Sequence, residues 1–417
     1  MNIAKPTTGH YNDWTRQKWL LSSIGTLPVA SLKELMLTQS GESLHGYTSD
    51  RIRMEKKRQY SLTSRALYRG KMFLERINKS WSGYLRYRMS RDEAKKIRER
   101  VITRNGQQIV DQKMIKTIKT YCRDVFDSPA YWPWLALYTE LRGEFKEGWI
   151  PDEYYRFKLL PKMNPEKYMR FSEAKALDHK IFNSSIVKSI VVRANGLYFD
   201  EEGRFKTKNE ALQILRDQPG EIIIKPVSGR SGNEIMFKDP QEIDLQELSP
   251  GADLVFQNVV KQHPEMSSLY PHSVNTFRVM SYLTQDGEIK IKFIIIRFGI
   301  GGNRVDNASQ GGNWIFVYPD GTVSPKAYEG NGIPVNNRHP DTGTRYADLN
   351  LPFIPKITAF CRDAHCHFPY TRIIGWDVFV DAEGEPKLIE WNANNPFFWA
   401  IEARFGPIFD EPECMNL

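Results

Sequence analysis

Two short runs near the C-terminus mix apolar and polar positions at strand period. They are Ile373-Ile374-Gly375-Trp376-Asp377-Val378-Phe379-Val380 and Pro386-Lys387-Leu388-Ile389-Glu390-Trp391-Asn392. A charged, Gly-containing turn separates them, and the pattern predicts a β-hairpin. With Glu383 and Gly384 at the centre of the turn, Asp377 lies opposite Glu390 and Gly375 opposite Asn392. Cross-strand partners share a face, so Asp377, Glu390 and Asn392 converge, with no bulky group opposite Asn392. A three-residue loop would break that register. Two opposed carboxylates repel, and a hard divalent cation with oxygen ligands removes the conflict; Mg²⁺ typically takes one or two carboxylates plus phosphate oxygens. The same residues fit equally well an exposed hairpin whose acids face water.

A second hairpin is predicted upstream. Asn275 to Tyr282 and Lys290 to Arg297 flank Gln285-Asp286-Gly287-Glu288, and Asp-Gly is a strong turn signal. Its register pairs Arg278 with Ile295 and Thr276 with Arg297, placing both arginines on one face, diagonal to each other. Two guanidinium groups there suit phosphate or carboxylate, or acids from elsewhere in the chain. Ile222-Ile223-Ile224-Lys225 is a β-branched run ending in a lysine, followed by the loop Pro226-Val227-Ser228-Gly229-Arg230-Ser231-Gly232-Asn233. Backbone N–H groups of such loops can cradle phosphate beside a strand-end lysine. The loop is neither a Walker A sequence nor a dinucleotide fingerprint. Leu254 to Val260 reads as another strand. Phe298 to Gly312 carries five glycines among fifteen residues and reads as a long loop walling a site.

Helical periods dominate the first part of the chain. Leu74, Ile77, Trp81, Tyr84 and Leu85 recur at helical spacing, and Ser90-Arg91-Asp92-Glu93 reads as a capping box ahead of Ala94, Ile97 and Val101, with Asn105-Gly106 as a stop. Lys113 to Phe126 reads as an amphipathic helix. The aromatic-rich stretch from Tyr131 to Phe157 reads as packing. A further helix, Pro355 to His367, holds Cys361, His365, Cys366 and His367, whose spacing fits no familiar zinc pattern; Cys361 falls on the apolar stripe and reads as a buried thiol.

Composition sharpens the picture. A chain of 417 residues with 41% hydrophobic content has room for two or three structural units. No apolar run approaches a membrane span. The opening residues Met1 to Pro6 lack the apolar stretch of a secretory leader, and four scattered cysteines fit a reducing compartment, so the expectation is a cytoplasmic protein. The net charge of +8 belongs to one segment. Residues 51–104 hold 18 Lys/Arg against 5 Asp/Glu, and the rest is mildly acidic. This basic, aromatic-containing segment suits a solvated helical hairpin packed on the body, or peripheral contact with a protein or the inner face of a membrane. Nucleic acid is the least supported partner, because no recognition motif accompanies the charge.

In chain order these features resemble the ATP-grasp superfamily of carboxylate–amine ligases, and more closely its sugar-transfer associated branch, sometimes described as alpha-L-glutamate ligase-like. The resemblance covers roughly residues 110–410. It rests on Lys180 in Asp178-His179-Lys180, Lys225 before the Gly/Ser loop, and Gln257 to Val260 with Gln262-His263-Pro264. It also rests on Asn275-Thr276-Phe277-Arg278, Val305 to Gly312, Gly375-Trp376-Asp377 and Glu390-Trp391-Asn392. It implies an α+β ATP-grasp fold, two α+β subdomains sandwiching ATP, preceded by a basic, mainly helical N-terminal region. The expected divisions are residues 1–105, a helical aromatic-rich lead-in over 106–174, and subdomains over 175–262 and 263–417.

By that resemblance Lys180 and Lys225 contact ATP on the phosphate and adenine side, and Ser228, Gly229, Arg230, Ser231 and Gly232 form a loop over the phosphates. Gln257, Asn258 and Val259 belong to the linker that reads adenine through its backbone; many relatives place a Glu where Gln257 or Asn258 stands. Arg278, with Arg297 and Asn307, makes up the catalytic set, and Asp377, Glu390 and Asn392 bind Mg²⁺, with Mn²⁺ as an alternative. The implied reaction joins a small-molecule carboxylate to an amine through an acyl phosphate, in surface-polysaccharide assembly. The rival readings are a kinase on the same fold, giving a stable phosphorylated product, and a non-catalytic nucleotide-binding scaffold for glycan machinery.

Overall fold

The computed structural model describes residues 83–182, 186–228, 235–248, 251–306 and 312–415, which belong to one unit, Ser82–Leu417. Most of the basic segment, the loop residues Gly229, Arg230, Ser231 and Gly232, and Asn307 therefore lie outside the described residues. The unit combines a helical layer with two antiparallel sheets. No helix among the described residues is long and apolar enough to cross a membrane.

The helical layer begins with α1 (residues 83–105), α2 (Gln112–Phe126) and α3 (Trp132–Arg142). In α1, Ser90, Ala94 and Val101 are buried at helical spacing against α3. The capping box expected at Ser90 is not one. The helix runs through that position, and the Ser90 hydroxyl accepts a hydrogen bond from the Trp134 indole at 3.0 Å. A buried serine with a partner nearby in space has no need of the end of a helix. The expected stop holds, with Gly106 in the left-handed region and its N–H donating to Ile102 O. Arg98 and Arg91 turn inward to Glu140 (2.8 Å) and Glu153 (2.7 Å). Part of the basic segment is thus neutralised by buried acids of the body.

The aromatic stretch after α2 packs as expected, with Trp134, Tyr138, Trp149 and Tyr155 fully buried. A few residues on, Asn164 is fully buried. Its amide nitrogen donates to Ile373 O (2.6 Å) and Ala393 O (2.8 Å), and its carbonyl accepts from Ile373 N (2.9 Å).

The first sheet has six strands, β1 (Val191–Ala194), β2 (Leu197–Asp200), β3 (Phe205–Lys206), β4 (Ile222–Pro226), β5 (Met236–Lys238) and β6 (Leu254–Asn258), in the order β3-β2-β1-β6-β4-β5. Helix α4 (Lys208–Arg216), held by a Thr207/Glu210 capping box, buries Ala211 and Leu215 against it. The second sheet has five strands, β7 (Thr276–Leu283), β8 (Ile289–Phe298), β9 (Asn313–Val317), β10 (Ile373–Val380) and β11 (Pro386–Asn392), in the order β11-β10-β7-β8-β9.

Strand alternation divides the second sheet cleanly. Phe277, Val279, Ile294, Ile296, Trp376 and Val378 face α5 (Ile354–His367) in one core. Met280, Phe293, Ile295 and Ile373 face the helical layer in the other. Cys361 is fully buried within α5, Cys366 is exposed and His367 pairs with Asp363. His365 is buried between Ser281 (2.7 Å) and the Thr371 carbonyl (2.9 Å), and burial lowers its pKa to about 4. Helix α6 (Trp399–Phe405) closes the layer against α3.

Candidate active site

Both predicted hairpins form, and both reach the predicted pairing by a route the turn signals did not show. In the β10–β11 hairpin the Asp381 N–H donates to Glu385 O, so three residues, not two, span the turn. Alone this would flip Glu390 and Asn392 to the other face. The ladder then shifts between Asp377 and Val378, leaving Ile389 as a bulge, and restores Asp377 opposite Glu390 and Gly375 opposite Asn392. The β7–β8 hairpin repeats the device. Thr284 donates to Glu288 O across a three-residue turn, and a shift after Met280 leaves Lys292 extra. Arg278 then stands opposite Ile295 and Thr276 opposite Arg297.

Strand β10 pairs with β7 on its other side, where Asp377 lies opposite Arg278. The carboxylate of Asp377, 1% exposed, accepts from Arg278 through both oxygens, with the Nη2 contact at 2.8 Å. Arg297 approaches the same carboxylate at 3.3 Å and Asp306 at 3.4 Å, while donating to Thr276 Oγ1 at 2.9 Å. Thr276 in turn donates to Asp306. Burial pushes the Asp377 carboxyl up, but Arg278 and Arg297 overcome that and hold it at about 2. Burial raises Asp306. Gly375 makes room for this arrangement. A Cβ there would stand 3.0 Å from Pro396 Cβ and 3.4 Å from Arg278 Cδ.

Glu390 and Asn392 complete the face from β11. Glu390 is one-third exposed and lies 3.7 Å from the Lys175 ammonium. The Asn392 amide reaches Asp377 at 3.4 Å. The repulsion between the opposed acids, which suggested a cation, is therefore relieved within the chain by Arg278 and Arg297 on one side and Lys175 on the other. Lys225, the penultimate residue of β4, lies nearby and is buried; desolvation lowers its ammonium to about 8 against the opposing pull of Glu390. Asp178 behind it accepts from the Trp391 indole at 2.9 Å, and burial raises it to about 7.

Asp377, Glu390 and Asn392 offer only oxygen donors, the chemistry of Mg²⁺ rather than of a softer metal. Among the described residues no three acids, histidines or cysteines are assembled to hold a metal, so the amide oxygen of Asn392 is needed to complete the set. Glu390 and Asn392 are turned to the cleft. Both oxygens of Asp377 face guanidinium groups, so two positive charges already stand beside this carboxylate.

These groups line one cleft between the two sheets, of about 1060 Å³. Ser228, exposed, lies at its edge, as do Gln257, Asn258 and Val259. Gln257 donates to Val187 O (2.9 Å), and Asn258 to Gln218 Oε1 (3.0 Å). The Val259 N–H is spent on Glu221 O (3.2 Å), which takes it out of the backbone set expected to read a base. Lys180 is the clear departure. It is outside the cleft lining, and its ammonium donates to Glu202 O at 3.0 Å. The chain turns between Asp178 and Lys180 so that Asp178 faces inward and Lys180 outward. Lys175 stands on the inside in its place.

Lys175, Thr276 and Asp306 were absent from the expected set. Thr276 carried a usable signal, since it sits two residues before Arg278 on the same strand face. Lys175 lies in a short irregular helix and Asp306 in the glycine-rich loop, where no period tells which side chains turn inward.

A family model described as sugar-transfer associated ATP-grasp matches residues 156–403, which include every residue lining the cleft. No curated protein matches the chain. Among solved structures, the chain is similar to the ATP-grasp ligase PsnB complexed with minimal precursor, at 13% identity and a TM-score of 0.32, covering 58% of this chain and 57% of that one. It is similar to N5-carboxyaminoimidazole ribonucleotide synthetase in its ADP complex, at 12% and 0.34, over 57% and 47%. It is also similar to an L-amino acid ligase from Bacillus licheniformis, at 13% and 0.30, over 54% and 41%. The chain thus spans about half the length of these solved proteins.

Proposed function

The chain belongs to the sugar-transfer associated ATP-grasp family, and from that premise we propose that it is an ATP-dependent carboxylate–amine ligase. The reaction makes an amide by way of an acyl phosphate and releases ADP and Pi. The carboxylate substrate is derived from a sugar or an amino acid, and the product enters surface polysaccharide.

One observation carries the reading. Arg278, Arg297, Asp377, Glu390 and Asn392 from one sheet and Lys225 from the other converge on a single cleft. Activating a carboxylate by phosphoryl transfer requires positioned charge more than a nucleophilic side chain. Arg278 is the residue able to exchange partners, leaving Asp377 for phosphoryl oxygens. Arg297 is fixed by Thr276 and Asp306, so its guanidinium offers a stationary charge beside the reacting group. Lys225 approaches from the opposite sheet. Glu390 and Asn392, with Asp377 beside them, would hold the metal. When bound, Mg²⁺ supplies neutralisation of phosphate charge.

The test is incubation of the purified chain with ATP, Mg²⁺ and a panel of uronic acids and amino acids, measuring ADP, Pi and new masses. ADP with stoichiometric Pi, and a hydroxamate on adding hydroxylamine, is the expected result. ADP without Pi points to a kinase, and no ADP with any substrate overturns the reading.

A further inference from the structure

Among the described residues of the loop between β8 and β9, Arg304 reaches across the cleft. Arg304 forms a two-pronged ion pair with Glu221, at the foot of β4, with Nη1 donating to Oε1 at 2.9 Å and Nη2 to Oε2. The same guanidinium carbon stands 3.7 Å from the ring centre of Phe237 on β5. That distance is a flat stacking contact. Arg304 thus belongs to the second sheet's loop and holds two neighbouring strands of the first, since Phe237 pairs with Ile223 of β4.

Its own base is fixed. The Tyr270 hydroxyl donates to Asn303 O (3.0 Å), Gly301 N donates to Asp341 (2.6 Å), and the Gly299 carbonyl contacts His339 Nε2 (2.9 Å). Gly299 permits the close packing, because a Cβ there would stand 2.7 Å from the Tyr270 ring. The other end is less secure. Strand β5 is a three-residue edge whose one neighbour among the described strands is β4. Arg304 and Phe237 both line the cleft, as do the apolar residues Ile223, Val259 and Val260.

We propose that Arg304 is a latch between the two subdomains and that it sets how fast a nucleotide enters and leaves the cleft. The proposal rests on the nucleotide-binding reading above. The latch is made entirely of the chain's own side chains, Arg304, Glu221 and Phe237, so no nucleotide atom takes part in it. A contact of equal strength in the free and bound protein changes the barrier to passage and not the equilibrium. Removing it therefore speeds entry and exit together. The alternative use of such an arginine, stacking on the base, would instead change affinity through the off-rate alone.

Stopped-flow fluorescence with mant-ADP and Mg²⁺ on the full chain separates these cases. For Arg304→Ala, both association and dissociation rate constants should rise, by roughly 5- to 30-fold if one or two kcal/mol of barrier is lost, with Kd nearly unchanged. Arg304→Lys keeps the charge but has no planar fork, and should behave as the alanine variant. Glu221→Gln should shift both rates the same way by a smaller factor. Wild-type rates in Arg304→Ala overturn the latch, as does a rise confined to dissociation. A wild-type chain that binds no mant-ADP overturns the nucleotide reading itself, a result distinct from unchanged rates in the variant. Both partners of the ion pair are exposed, with side-chain accessibilities of 47% and 40%, so the variants retain the fold.

Discussion

Asp377 and Glu390 face each other across the hairpin and look equivalent in the sequence, yet their removal should have very unequal consequences for stability. Asp377→Asn leaves two guanidinium groups, Arg278 and Arg297, beside a neutral amide in a buried site. Removing one member of a buried ion pair typically costs roughly 3–5 kcal/mol. The same pairing acts on the Asp377 carboxyl, which burial pushes up but which Arg278 and Arg297 hold below the usual carboxylate range. The sign follows from linkage. The pKa is depressed in the folded state, so the stabilisation is present above the unfolded value near 4 and disappears as pH falls through about 2.

Glu390→Gln, by contrast, disturbs only a contact of 3.7 Å to Lys175 at a partly exposed position, worth roughly 1 kcal/mol or less. Urea unfolding at pH 7, followed by tryptophan fluorescence, measures both. Asp377→Asn should lower the midpoint substantially and Glu390→Gln hardly at all, while both abolish ADP formation. The gap between wild type and Asp377→Asn should narrow in acid. Equal midpoints for the two variants at pH 7 would refute the assignment of Asp377 as the buried counter-ion of the two arginines.

Three further outcomes are expected. Lys225→Ala should weaken MgATP binding by calorimetry, and because burial lowers the ammonium to about 8, wild-type affinity should decline as pH rises through that value whereas the alanine variant should lack this step. Lys180→Ala should leave nucleotide affinity unchanged, since its ammonium is bonded to Glu202 O outside the cleft; a tenfold loss would return it to the site. Gly375→Ala forces a methyl against Pro396 and Arg278, and overpacking of this kind costs roughly 1–3 kcal/mol. It should reduce turnover more than affinity, because Arg278 is displaced while Lys225 is not.

The fold and the face that carries the acids were legible because period-2 patterning survives local irregularity. The turn reading itself was incomplete. Each hairpin has one more turn residue than expected, and each recovers its pairing with one bulged residue, Ile389 or Lys292. Burial on one sheet face enforces that recovery, since a slipped register would turn Trp391 and Ile294 away from their core. What stayed hidden depends on distant partners. Ser90 satisfies every local rule for a cap, and only Trp134, met 44 positions later, makes it a buried acceptor instead. The opposed acids suggested a cation, and no local pattern revealed that Arg278 on the neighbouring strand supplies one. Lys180 and Lys175 differ only in which side of an irregular helical stretch they occupy.

Asn164 has a consequence beyond packing. Its single side chain completes the hydrogen bonding of Ile373, where β10 begins, and of Ala393, immediately after Asn392. It therefore acts as a staple from outside the sheet that fixes both ends of the segment bearing Asp377, Glu390 and Asn392. The hairpin is not a portable module. A graft of residues 373–393 onto another scaffold would arrive with three backbone groups unpaired, the N–H and C=O of Ile373 and the C=O of Ala393, unless the host offered an amide in the same place; the hairpin depends on one residue whose distance in sequence conceals its closeness to the chemistry.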